Sequence, residues 1–201
     1  MKKELKEIMN LKENRLIFIG GRPSAGKTSL VLDITKDVAL NDQIPVVVFS
    51  LETSIKKCVD TILRENKTFD YIKELSEANI IIDDTPAIPV DVIKEKCIKL
   101  KNEKNIGLIV IDYLQLVKSN DNEDVYVLLK ELSHELDIPI IITSQLTAEI
   151  DKREDQKPNL EDIKDIIEVN SDIVMFLYNE DNNREIIVAK NRYGNIGTIK
   201  L

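Results

Sequence analysis

Gly21-Arg22-Pro23-Ser24-Ala25-Gly26-Lys27-Thr28 has the spacing G-x-x-x-x-G-K-T, which is that of a phosphate-binding loop. The apolar run Leu16–Ile19 before it reads as a strand. Ser29-Leu30-Val31-Leu32-Asp33-Ile34 after it reads as the start of a helix. That strand–loop–helix context is what the chemistry requires. Gly26, with the small Ser24 and Ala25, lets the backbone curl so that successive N–H groups point at an anion. The following helix, opening at Ser29, adds unpaired donors and the positive end of a dipole. Lys27 then reaches the β- and γ-phosphates of a nucleoside triphosphate, and the Thr28 hydroxyl is suited to ligate Mg²⁺. Gly21 to Ser29 are therefore the candidate nucleotide-binding residues, with ATP and Mg²⁺ as the expected cofactors.

The chain has 201 residues, enough for one domain with a substantial core. Its 43% hydrophobic and 32% charged residues are those of a soluble globular protein. No apolar run approaches a membrane span, and no signal core follows Met1-Lys2-Lys3, so a cytoplasmic protein with no membrane partner is expected. Cys58 and Cys97 lack metal-ligand spacing and read as free thiols. A net charge of −8 opposes a broad nucleic-acid-binding face but permits a basic groove or channel.

Outward from the loop, residues 1–14 carry Leu5, Ile8 and Met9 at helical spacing. They read as an N-terminal amphipathic helix or linker, either frayed or docked on a neighbouring subunit, ahead of a domain over 15–201. Apolar runs at 44–49, 79–82, 106–111 and 139–143 read as strands, and helices are expected to about Arg64 and over 71–77, 90–104 and within 121–137. Residues 146–159 read as loop. Asp172–Tyr178, Arg184–Lys190 and Asn195–Leu201 give a strand-rich end, with turns at Asn182-Asn183 and Gly194-Asn195. Continuous apolar strands alternating with helices predict an α/β fold with a mostly parallel central sheet flanked by helices.

In such sheets ligands bind beyond the carboxyl ends of the strands. The run 46–49 is followed by Ser50-Leu51-Glu52, the run 108–111 by Asp112, and the run 140–142 by Thr143-Ser144-Gln145. Two carboxylates and an amide thus share the sheet edge with the phosphate loop. Asp112 is the candidate partner of Mg²⁺, Glu52 the candidate to polarise an attacking water, and Gln145 the candidate contact of the γ-phosphate or that water. His134, the only histidine, falls on the polar side of its helix and reads as a surface residue.

These motifs together resemble the C-terminal motor domain of the DnaB-type replicative helicases, within the RecA-like ATPases. The resemblance rests on Arg22 to Thr28, Phe49-Ser50-Leu51-Glu52, Gly107 to Leu116, Ser144-Gln145-Leu146, and Lys190-Asn191-Arg192 followed by Gly194 to Thr198. It covers residues 15–201. It implies a RecA-like P-loop NTPase fold and ATP hydrolysis driving translocation on single-stranded DNA. It further implies a homo-oligomeric, hexameric ring and contacts with other replication proteins. It makes Glu52 the catalytic base, and Lys190 and Arg192 finger residues that complete a neighbour's ATP site.

The chain also departs from the family's pattern. These 201 residues hold no counterpart of the family's N-terminal domain, and the segment before the first strand is shorter than the resemblance implies. The arginine that follows the glutamate in the family is Thr61 here, with Arg64 one turn on as its replacement. The Arg-Glu-Ser-Gly stretch of a DNA-contacting loop is represented by Lys164-Asp165 within Asp162 to Glu168, and Val117 to Asp124 has one lysine against Asp121, Glu123 and Asp124. An alternative expectation is therefore an interaction module that binds a helicase or loader and does not unwind DNA itself.

Overall fold

The computed structural model describes residues 1–64, 66–119, 124–147, 150, 153, 156–180 and 183–201. The chain runs α1 (Lys3–Met9), β1 (Leu16–Gly21), α2 (Lys27–Asn41), β2 (Val46–Ser50), α3 (Ile55–Ile62), α4 (Phe69–Glu77) and β3 (Ile80–Asp83). It continues with α5 (Val90–Lys104), β4 (Leu108–Asp112), α6 (Val125–Leu136), β5 (Ile140–Gln145), α7 (Asp165–Asn170), β6 (Ile173–Glu180), β7 (Asn183–Asn191) and β8 (Gly197–Lys200). The strands form one sheet in the order β3-β2-β4-β5-β1-β6-β7-β8. Pairing is parallel from β3 across to β6, and antiparallel for β7 and β8.

Alternation of apolar side chains across the parallel strands builds a core on each face. Ile17, Val46, Val48, Leu108, Val110 and Ile141 point to the side that packs α1, α2 and α3. Leu16, Val47, Phe49, Ile109, Ile111, Ile140 and Ile142 point to the side that packs α5 and α6. A smaller cluster, with Phe18 edge-on to Phe176, takes in Ile167 of α7. The expectation of an α/β fold with a mostly parallel sheet is borne out, and the strand-rich end is antiparallel.

Two local readings change. Of residues 1–14, Lys3–Met9 form a helix whose apolar face is covered by the chain's own core. Leu5 and Met9 of α1 are fully buried in the chain's own core, and Lys6 pairs with Asp37 of α2 and with Asp42, the C-cap residue of that helix. Leu5→Ala is expected to lower unfolding free energy by about 2–5 kcal/mol, measured by urea denaturation, as for other buried leucines. The second change is α7, a short helix not anticipated within 162–168; Lys164 forms its N-cap. Asp121, Glu123 and Asn182 lie outside the described residues.

Candidate active site

The phosphate loop leaves β1 at Gly21 and enters α2 at Lys27. Ser24 (φ 60°) and Gly26 (φ 97°) both take left-handed backbone conformations, which produces the curl. Gly26 has a second reason to lack a side chain: a Cβ there would sit 2.8 Å from the Arg184 guanidinium, which also donates to Gly26 O at 3.4 Å. Lys27 folds back over the loop and donates from Nζ to the carbonyls of Gly21 and Arg22, both at 2.8 Å. Burial pushes its ammonium below the usual lysine range, opposed by the charges of Asp112 and Glu52. A half-buried ammonium beside a curled run of backbone N–H groups suits an anion.

Parallel register brings the other strand ends to the same edge. Gly21 lies opposite Gln145, and Ser50 opposite Asp112. A cleft of about 570 Å³ is lined by Pro23, Ser24, Gly26, Lys27, Thr28, Ser29, Glu52, Thr53, Lys57, Asp112, Tyr113 and Gln145. Lys27, Thr28, Glu52, Asp112 and Gln145 therefore meet in one place. A somewhat larger cavity, about 610 Å³, runs along α2 past Leu5, Asp33, Arg64 and Arg184. It contains none of Glu52, Asp112 and Gln145, so chemistry rather than size selects the site.

Asp112 is buried at the cleft floor. Its Oδ2 accepts from Thr28 Oγ1 at 2.6 Å, and its Oδ1 from Thr143 Oγ1. Glu52 is exposed in the turn after β2, three residues ahead of α3, whose N-cap is Ser54. It is not a first-turn glutamate held by the helix dipole; it lines the cleft wall, and its charge acts on Lys27. The backbone of this turn is fixed by Leu51 N–H donating to Asp112 O at 2.8 Å and Ser50 Oγ donating to Thr53 O at 2.6 Å. Gln145 is exposed, but its backbone is clamped by Gln115, whose amide Nε2 donates to Gln145 O at 2.9 Å and to Ser144 Oγ at 2.8 Å.

Thr143, Gln115 and Lys57 were not singled out from sequence for these positions. Thr143 carried a signal, since it ends an apolar run beside Gln145; the other two depend on which elements are neighbours in space. Arg64 pairs with Asp33 of α2 at 2.6 Å and faces the other cavity, not the cleft. His134 is exposed. Cys58 and Cys97 are buried free thiols, and burial pushes Cys97 up to about 12.

Lys190 and Arg192 do not join the cleft. Antiparallel pairing sets Lys190 opposite Val174 and Asn191 opposite Ile173, at the start of β6. That is the amino-terminal edge of the parallel strands, opposite the phosphate loop. Lys190 Nζ donates to Glu168 O, and Arg192 Nη2 donates to Val169 O at 2.5 Å.

The family profile described as "DnaB-like helicase C terminal domain" matches residues 3–73 and 64–201. The chain belongs to the DnaB-like helicase C-terminal domain family. Among curated proteins, it is 39% identical to the replicative DNA helicase DnaB of Geobacillus stearothermophilus, over 92% of this chain and 50% of that protein. It is 37% identical to the replicative DNA helicase DnaC of Bacillus subtilis (strain 168), over 94% of this chain and 50% of that protein. The chain thus spans about half the length of these relatives. Among solved structures, one described as an ATPase domain superposes with a TM-score of 0.86 at 27% identity, covering 98% of this chain and 84% of that one. A DnaB-like replicative helicase, solved in a study of its interactions with primase, superposes at 0.84 and 27% identity, covering 98% and 57%. For a DnaB-like C-terminal domain, the cleft at the strand ends is the place where the chemistry of a phosphate loop belongs.

Proposed function

We propose that this chain is the ATP-hydrolysing motor of a ring-forming replicative DNA helicase, acting on single-stranded DNA in the cytoplasm. The observation that carries the reading is the convergence of Glu52, Asp112 and Gln145 on the cleft that holds Lys27 and Thr28. Gly21 to Ser29 wrap the polyphosphate, and Lys27 leaves the Gly21 and Arg22 carbonyls to meet it. Glu52, exposed at the wall, accepts a proton from the attacking water. Gln145, braced by Gln115, orients that water or senses the γ-phosphate.

The residues at the floor fit Mg²⁺. A hydroxyl and a carboxylate oxygen lie side by side at Thr28 and Asp112, and magnesium takes only one or two such hard oxygens from a protein beside phosphate and water. Thr28 and Asp112 would hold it, and when bound it would neutralise charge developing on the β- and γ-phosphates.

Lys190 and Arg192 act in trans in this reading. Both lie on the sheet edge away from their own cleft. Burial, and next the nearby charge of Arg192, push the Lys190 ammonium below the usual range. Arg192 lies 3.6 Å from the Asp172 carboxylate, and Lys190 lies beside Arg192 and Glu168. In this reading the anion these two cations meet is a neighbour's γ-phosphate. A homo-oligomer follows, hexameric in the family's manner, with primase-type replication proteins as further partners.

The test is steady-state ATP hydrolysis by the assembled oligomer with and without single-stranded DNA. DNA is expected to raise turnover several-fold. Equal rates in an oligomer of demonstrated mass would sink the motor reading.

A further inference from the structure

We infer that Asp172 is the positioning residue for Arg192, and that it ties this finger to the strand carrying the same subunit's own phosphate loop. The inference rests on the in-trans reading of Arg192. Asp172 precedes β6 and is fully buried. A buried carboxylate is costly unless it is paired. Oδ2 is well occupied: it accepts from Leu16 N–H at 2.8 Å and from Lys130 Nζ of α6. Oδ1 accepts no hydrogen bond among the described residues; the guanidinium of Arg192 stands before it, with Nη1 3.6 Å away. Strand closure does not require that charge. The backbone already closes the edge, with Asp172 N–H donating to Leu16 O at 2.9 Å and Arg192 N–H donating to Asp172 O at 3.0 Å.

The under-occupied oxygen therefore serves Arg192. With Val169 O it fixes the guanidinium at two points, while the Arg192 side chain stays 43% exposed and able to meet a neighbour. A guanidinium pre-oriented in this way loses less rotamer freedom when it engages a phosphate. The same carboxylate grips Leu16, where β1 begins, and β1 ends at Gly21 of the phosphate loop. A pull on Arg192 by the neighbour's nucleotide thus acts on the root of the strand that presents this subunit's own cradle.

Asp172→Asn keeps the shape and an acceptor for Leu16 N–H but removes the charge before Arg192. ATP turnover by the assembled protein is measured for wild type, D172N, R192A and the double variant. D172N is expected to lower kcat on the order of 10²-fold, with KM and nucleotide affinity within about threefold of wild type. In the R192A background the same substitution is expected to change kcat by less than about twofold. An equal loss in both backgrounds makes Asp172 a structural residue and overturns the proposal, as does an unchanged kcat for D172N. An unchanged kcat for R192A instead fails the in-trans reading itself. D172N leaves Lys130 without its partner, so the cycle is repeated with Lys130→Met, which removes both charges. K130M alone is expected to keep wild-type kcat. If K130M alone reproduces the D172N loss, or if K130M/D172N does not assemble, the proposal falls.

Discussion

Lys27→Ala brings ATP hydrolysis to the uncatalysed background and weakens nucleotide binding by about one to two powers of ten, the loss expected for hydrogen bonds to a charged group. The two losses have different sizes for a physical reason. Backbone N–H groups of the curled loop and of the α2 N-terminus still bind the polyphosphate in the variant. The cation that follows charge onto the β- and γ-oxygens as the bond breaks is gone, and stabilisation present only at the transition state acts on rate rather than affinity. The substitution is safe for the fold. Among the described residues the Lys27 ammonium bonds to the Gly21 and Arg22 carbonyls of its own loop, and its side chain is not part of the core. Thermal melting should move by a few degrees at most, and fluorescent-nucleotide titration and phosphate release report the two effects separately. Retained turnover refutes the assignment of the cleft.

How far the sequence carried this reading depended on whether the signal was local. The parallel strands were legible because residues such as Val46–Phe49 and Leu108–Ile111 are apolar on both faces, and only a sheet covered on both sides buries such runs. Glu52, Asp112 and Gln145 were legible because each directly follows such a run. The roles of Thr143 and Gln115 were not, since they arise from the adjacency of β4 and β5, and strand order in space is not written along the chain. Asp172 read only as the first residue of a strand; its meaning comes from Leu16, Lys130 and Arg192, all distant in sequence. α1 shows the other limit. Leu5 and Met9 announce an apolar face, but periodicity does not say what covers it. α4 begins at Phe69, two residues earlier than expected; that side chain is 80% exposed, so no buried face marks the start in the sequence.

Arg192→Ala stops turnover of the assembled protein while leaving nucleotide binding by a single subunit intact. An in-trans arginine is typically worth about 10³–10⁵ in rate, and its own cleft never sees it, since it sits at the opposite edge of the sheet. Mixing gives the sharper measurement. An R192A subunit keeps a sound cleft and lacks a finger; a K27A subunit has a dead cleft and a sound finger. Each assembly alone is inactive. In a heterologous ring each interface joins one subunit's cleft to the next one's finger, so random co-assembly at equal amounts makes about one quarter of the interfaces whole. Hydrolysis should therefore appear when two inactive proteins are unfolded, mixed and reassembled, and should vanish again if the finger-bearing partner also carries R192A. A mixture that stays inactive after demonstrated co-assembly would place Arg192 in its own subunit's service and break the link between the two edges of the sheet.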